Sequence, residues 1–253
     1  MMVSQGSDMT RILLLGGTSE ARAMAQALAG AGMDAIYSYA GRVQALARQP
    51  LPMRVGGFGG VDGLAAYLRA ERITHLIDAT HPFAALISRN ALVAAQRARV
   101  PLIVLERPPW AARPEDRWTH VPDFAAAAEA LPGDGSGVFL AIGRQHLAPF
   151  LSRHHRWLLR FAEIASHPLR DATLIVSRGP FTVAGDKALM QRHDIGWLVT
   201  KNSGGRGAAA KLTAARELGL PIIVIDRPAL PARRIVGTVA EVMGWLHGAD
   251  RGV

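Results

Sequence analysis

The stretch ILLLGGTSEARAMAQALAG, residues 12–30, runs four apolar residues into Gly16-Gly17 and starts a helical apolar pattern at once. A short buried strand turning through glycine into an amphipathic helix is the opening of a nucleotide-binding βα unit. The usual dinucleotide fingerprint reads G-x-G-x-x-G; here the same frame reads G-G-T-S-E-A. Gly16 fits the tight turn, and Ala21 is small enough for close packing of helix on strand. Thr18 replaces the middle glycine. Its hydroxyl and that of Ser19 are expected to donate to phosphate oxygens, beside the exposed N–H groups of the helix start. Ser and Thr also cap helices that bind nothing, so the stretch alone leaves both readings open.

The next predicted strand, DAIYSYA (34–40), bears on the choice. An Asp or Glu about 20 residues past the glycines accepts from the ribose hydroxyls in NAD sites. SYAGR (38–42) has no acid there but carries Ser38 and Arg42. A carboxylate would repel a 2′-phosphate, whereas a hydroxyl and a guanidinium attract it. The expected cofactor is therefore NADPH.

The alternation continues. Strands are predicted at 11–15, 74–80 and 101–107, with helices over 19–32, 61–73 and 83–100. RPPWAARPEDRWTHVPDF (107–124) carries four prolines and no clear period, which predicts a loop or crossover. Strands then recur at 137–143, 156–163, 172–179, 196–202 and 221–228, with helices over 183–195, 207–220 and 238–248. Buried strands separated by helices predict an α/β fold of two Rossmann-like domains with mostly parallel sheets facing a common cleft. The expected division is a lead-in over 1–10, an NADP-binding domain over 11–115 and a second α/β domain over 125–253 that contributes substrate contacts.

Other glycine and polar clusters follow predicted strands, where such sheets bind ligands. RVGGFGG (54–60) suggests close backbone approach around Gly57. DATHPFA (78–84) places Thr80, His81 and Phe83 after a strand, with Pro82 suited to a first helical turn. LVTKNSGGRGAAAK (198–211) joins strand to helix through Lys201, Asn202, Ser203, Gly204 and Gly205, an anion cradle by composition. Arg144 in AIGRQHL and Arg178 in SRGPF also follow strands. His146, His154 and His155 share no helical face and no neighbouring carboxylate, so no metal site is expected.

Composition narrows the classes. The chain of 253 residues has no cysteine, which excludes disulfides and thiolate chemistry. No apolar run reaches the ~18 residues of a membrane span, and MMVSQGSDMT lacks the pattern of a secretory signal. A cytoplasmic protein with no membrane partner is expected. The net charge of +9 calls for an acidic partner. The basic residues are dispersed and not interleaved with aromatics, which argues against nucleic acid.

Taken together, GGTSEAR, SYAGR, RVGGFGG, DATHPFA, the ERPPW run, AIGRQHLAPF, SRGPF and TKNSGG resemble the precorrin-6A reductase family of cobalamin biosynthesis, from about residue 11 to the last helix. The resemblance implies NADPH-dependent reduction of one double bond in an anionic tetrapyrrole, precorrin-6A. In that frame Gly16, Gly17, Thr18 and Ser19 hold the cofactor, Ser38 and Arg42 its 2′-phosphate, and Thr80, His81 and Phe83 lie nearer the nicotinamide. Arg144, Arg178 and Lys201 to Gly205 meet substrate carboxylates, with Lys201 also a candidate proton donor. A branch of the family acting on the cobalt-containing macrocycle fits equally, and a non-catalytic two-lobed anion-binding module is a further alternative. A short-chain dehydrogenase is disfavoured, because none of Tyr37, Tyr39 and Tyr67 is followed four residues on by Lys.

Overall fold

The computed structural model describes residues 10–40 and 48–249. In chain order it lays down β1 (Arg11–Leu15), α1 (Ser19–Gly30), β2 (Asp34–Tyr39), β3 (Met53–Val55), α2 (Gly60–Ala70), β4 (His75–Asp78), α3 (Ala85–Ala98) and β5 (Leu102–Leu105). Next come β6 (Arg117–Val121), α4 (Phe124–Glu129), β7 (Gly137–Ala141), β8 (Arg156–Phe161), β9 (Ala172–Val176) and α5 (Val183–Arg192). The chain closes with β10 (Ile195–Lys201), α6 (Ala210–Glu217), β11 (Pro221–Ile225), β12 (Ile235–Val236) and α7 (Val239–Ala249). It forms two compact units, one from residues up to Arg107 together with Ala229 onward, the other Pro108–Pro228.

Each unit holds one six-stranded sheet, ordered β12-β5-β4-β1-β2-β3 in the first and β6-β11-β10-β7-β8-β9 in the second. Neighbouring strands pair in parallel throughout both sheets. Numbered from its own first central strand, each sheet reads 3-2-1-4-5 and then a sixth strand, the dinucleotide-binding order. The sixth strand is exchanged. β6 leaves the first five strands and completes the second sheet, while β12 returns to the edge of the first.

Side-chain alternation along β1 shows why both faces need helices. Ile12 and Leu14 pack with Met24, Ala25 and Leu28 of α1 and Val242 and Leu246 of α7. Leu13 and Leu15 face the other way, against Leu64 and Leu68 of α2 and Ala91, Ala94 and Ala95 of α3. In the second unit Phe139, Leu158, Leu198, Ile222 and Val224 pack with Met190 of α5 and Leu212, Ala214 and Ala215 of α6. Among the described residues no helix is long and apolar enough to cross a membrane.

Two sequence expectations are corrected. The proline-rich segment 107–124 contains a strand, because Arg117 to Val121 pair with Pro221 to Ile225 of β11. The second domain does not run over 125–253, because β12 pairs with Val104 and Leu105 and α7 covers the first core. A two-residue strand gives no period to read, so its destination was invisible in sequence. The exchange has a measurable consequence. Leu246 is fully buried in the first core, so Leu246→Ala is expected to lower unfolding free energy by about 2–5 kcal/mol, read by urea denaturation.

Candidate functional site: the switch points of two parallel sheets

In a 3-2-1-4-5 sheet the first and fourth strands are neighbours whose following crossovers leave in opposite directions. The loops after them flank a crevice at the carboxyl ends of the strands. In the first unit those loops follow β1 and β4, which pair from Ile12–His75 to Leu15–Asp78. They are Gly16–Ser19 and Ala79–Phe83, both singled out in the sequence. In the second unit the loops follow β7 and β10, and carry Arg144 and Lys201–Gly205.

The Gly16-Gly17 turn is shaped from beneath by Tyr37. A Cβ on Gly16 would lie 2.1 Å from a ring carbon of Tyr37, so no side chain fits there. The Tyr37 hydroxyl accepts from the N–H of Gly17 at 2.9 Å, and the N–H of Gly16 reaches the Ser38 carbonyl at 3.0 Å. Gly17 has φ +122, and a Cβ there would meet nothing within 4 Å. The outer side of the turn is thus open space, with a backbone conformation suited to glycine. Burial pushes the Tyr37 phenol up to about 12, partly offset by the Gly17 hydrogen bond, so it stays a neutral acceptor.

The hydroxyls of Thr18 and Ser19 are both bonded within the chain. The Thr18 hydroxyl donates to the Ala79 carbonyl at 2.7 Å and accepts from Ala21 N–H at 3.0 Å, capping α1. Its single proton is therefore committed to tying the β1 loop to the β4 loop. The Ser19 hydroxyl donates to Glu20 at 3.0 Å. Glu20 is itself neutralised by Arg107 at 2.8 Å, which removes a charge that would repel an anion at the helix start. What the turn presents outward is the backbone of the first turn of α1, whose N–H groups have no intrahelical acceptor.

After β4, the buried Asp78 accepts from both the N–H and the hydroxyl of Thr80, at 3.0 and 2.7 Å. Phe83 N–H donates to Nδ1 of His81 at 3.2 Å. Pro82 precedes α3 rather than entering it, because Ala84 is the cap residue. Ser38 is buried at the end of β2. Gly57 turns its carbonyl toward Arg54 at 2.7 Å. Arg42 lies outside the described residues.

In the second unit the amide of Asn202 is engaged on both its oxygen and its nitrogen. It accepts from Trp110 N–H at 2.7 Å and donates to the Trp110 carbonyl at 3.1 Å, bracing the turn against that backbone. The Trp110 indole donates to the Gly205 carbonyl at 2.8 Å. Arg227 donates to the carbonyls of Asn202 and Ser203 at 3.0 and 3.3 Å. Gly204 has φ +68 and lies so close to the Pro108 carbonyl that a Cβ would be 2.1 Å away. Lys201 ends β10, and burial lowers its pKa to about 8. Arg144 is exposed on a 3-10 turn after β7. Arg178 is held by Glu163 at 2.7 Å and the Ala162 carbonyl at 3.1 Å. The sequence reading missed Tyr37, Asp78, Trp110 and Arg227, which act on turns from other elements and carry no local motif.

These two sheets, each with a glycine turn at its switch point, define the class: a double Rossmann-type α/β protein with a dinucleotide-type turn in its first unit. The chain belongs to the precorrin-6x reductase family CbiJ/CobK, whose model matches residues 11–247. It is 55% identical to the precorrin-6A reductase of Rhodobacter capsulatus over 97% of this chain and all of that one. Cobalt-precorrin-6A reductase of Priestia megaterium is 31% identical over 95% of this chain and 99% of that one. The solved structure of a CobK precorrin-6A reductase superposes with TM-score 0.90 at 55% identity, covering 97% of this chain and 98% of the other.

Tyr37→Phe is expected to leave the Gly17 N–H without its acceptor, costing about 1–3 kcal/mol of stability in urea unfolding. Gly16→Ala is expected to cost more, because ring and Cβ cannot share the same space.

Proposed function

We propose that this chain reduces one double bond of precorrin-6A with NADPH in cobalamin biosynthesis. The observation that carries the reading is the full-length likeness to a precorrin-6A reductase, at 55% identity against 31% for the cobalt-substrate relative. The same contrast favours the metal-free macrocycle. The first unit fits the cofactor: an open glycine turn and a helix N-terminus suit a pyrophosphate, and Ser38 with Arg42 suits the 2′-phosphate. Gly57, Thr80, His81 and Phe83 line the loops at the same strand ends. Bound NADPH supplies the hydride.

The second unit is read as the substrate side. Lys201, Arg144 and Arg178 supply positive charge, and the turn at Ser203, Gly204 and Gly205 supplies backbone, for the acetate and propionate groups of a tetrapyrrole. Asn202 positions that turn. Adding hydrogen across a double bond also needs a proton. Lys201 is suited to give one, since an ammonium with a pKa of about 8 is protonated at neutral pH yet more acidic than an ordinary lysine. A bound carboxylate would reverse that shift by favouring the charged form, so the two roles leave different kinetic marks.

The test uses pH. For a folded pKa lowered to about 8, the charged form is present below that pH and is lost above it. Hence kcat/KM for precorrin-6A, which reports the free enzyme, is expected to fall as pH rises through about 8. If Lys201 only anchors a carboxylate, kcat shows no such limb; if it is the acid, kcat falls too. Lys201→Arg keeps charge to higher pH and should move the kcat/KM limb upward. Lys201→Ala should raise the macrocycle KM while the NADPH Kd stays within about twofold, well under the tenfold that ~1.4 kcal/mol represents. A tenfold loss of NADPH affinity with normal macrocycle binding would refute the substrate-side placement.

A further inference from the structure

We infer that Arg54, acting with Ser38, is a specificity-determining residue for a phosphate monoester on the ribose of the dinucleotide, an inference that rests on the first unit binding that dinucleotide. Arg54 sits on β3, directly across from Ser38 on β2 in the strand register. This is the outer end of the 3-2-1-4-5 order, where strand ends meet the adenosine half of a dinucleotide.

The guanidinium is fixed on one side and available on the other. Its Cζ lies 3.7 Å from the centroid of the Phe58 ring. One terminal nitrogen donates to the Gly56 carbonyl at 2.6 Å and reaches the Ser38 hydroxyl at 3.5 Å. The other terminal nitrogen donates to the Gly57 carbonyl at 2.7 Å. A guanidinium has five N–H donors in a rigid fork. These contacts engage three, which leaves the Nε proton and one terminal proton without acceptors among the described residues. The Ser38 hydroxyl, approached by Arg54, keeps its own proton to donate.

The charge is also uncompensated. Arg11, Arg97, Arg107, Arg156, Arg160, Arg178, Arg216 and Arg233 each face a carboxylate. Among the described residues Arg54 faces none, and its partners are neutral oxygens and an aromatic ring. A half-buried cation clasped by carbonyls, with two directed donors to spare and a hydroxyl beside it, suits a dianionic phosphate monoester. Gly56, with φ +117, takes a backbone conformation suited to glycine and turns its carbonyl to the fork.

The probes are 2′,5′-ADP and 5′-AMP, which differ by the phosphate in question and carry no nicotinamide, with NADPH and NADH as the full-length pair. Calorimetric titration of the intact chain gives Kd for each. Arg54→Ala is expected to weaken 2′,5′-ADP and NADPH at least tenfold and to change 5′-AMP and NADH less than twofold. Arg54→Lys, which keeps charge without the planar fork, should fall between. An equal loss for all four ligands would show that Arg54 only clasps the glycine loop, and no loss would show that it does neither; both overturn the inference. Because Arg54→Ala also removes loop contacts, its melting temperature is measured alongside, and Ser38→Ala gives a second reading in which the loop clasp remains. Discrimination between 2′,5′-ADP and 5′-AMP that persists undiminished in both variants refutes the assignment. A wild-type chain that binds none of the four nucleotides would instead refute the dinucleotide reading itself.

Discussion

Parallel pairing is the constraint on which the rest depends. Two parallel neighbours cannot be joined by a tight turn, so each connection must cross a face of the sheet. The crossing helices bury both faces, which is why β1 is apolar at Ile12, Leu13, Leu14 and Leu15 without alternation. The same rule sends every strand carboxyl end to one edge and every return to the other. With the order 3-2-1-4-5, two loops are left back to back at that edge with a crevice between them. The position of both glycine turns follows from connectivity before any ligand is considered.

A loop in that position must hold its shape without a helix over it. Here the holding is done by polar side chains from neighbouring elements. Tyr37 takes the Gly17 N–H, Thr18 ties the β1 loop to Ala79, and Asp78 takes both donors of Thr80. Asn202 and Arg227 do the same in the second unit, pairing with Trp110 and with two turn carbonyls. Each such group removes one polar atom of the loop from the set a ligand can use. What remains presented is backbone and charge, which suits phosphates and carboxylates, ligands with many acceptor oxygens and few donors.

This division explains what was legible in the sequence. The central strands were readable because burial on both faces gives continuous apolar runs, and α1 because Ala21, Met24, Ala25 and Leu28 recur at helical spacing. The loops were readable because only glycine tolerates their conformations and contacts. β3 and β12 were not, since they are short edge strands, and β6 was not, since it is a mostly exposed edge strand in a proline-rich stretch; all three owe their existence to a partner strand. The exchanged sixth strands are a property of pairing and leave no mark on residues 107–124 or 229–238. Side-chain partners were not legible for a related reason. Thr18 and Asn202 have the right chemistry for ligands, but partners distant in sequence engage the one hydroxyl proton of Thr18 and, on Asn202, the amide oxygen and one of its two N–H hydrogens.

Charge chemistry shows the same economy. Of 29 basic residues only three are lysine, so arginine is the chain's default cation. Where a cation's task is to fix an element, arginine's planar fork serves well, as in the two-oxygen contact of Arg216 with Asp116. Lys187 bonds Glu217, and the buried Lys211 bonds the Ala208 carbonyl and stands over Trp110. At Lys201 burial is the cause that brings the pKa to about 8. An arginine at the end of β10 would stay charged at any accessible pH. A lysine there can have its proton affinity set by its surroundings, since burial lowers it and a neighbouring carboxylate would raise it. In an arginine-rich chain, the residue type at this one strand end is what makes the charge adjustable.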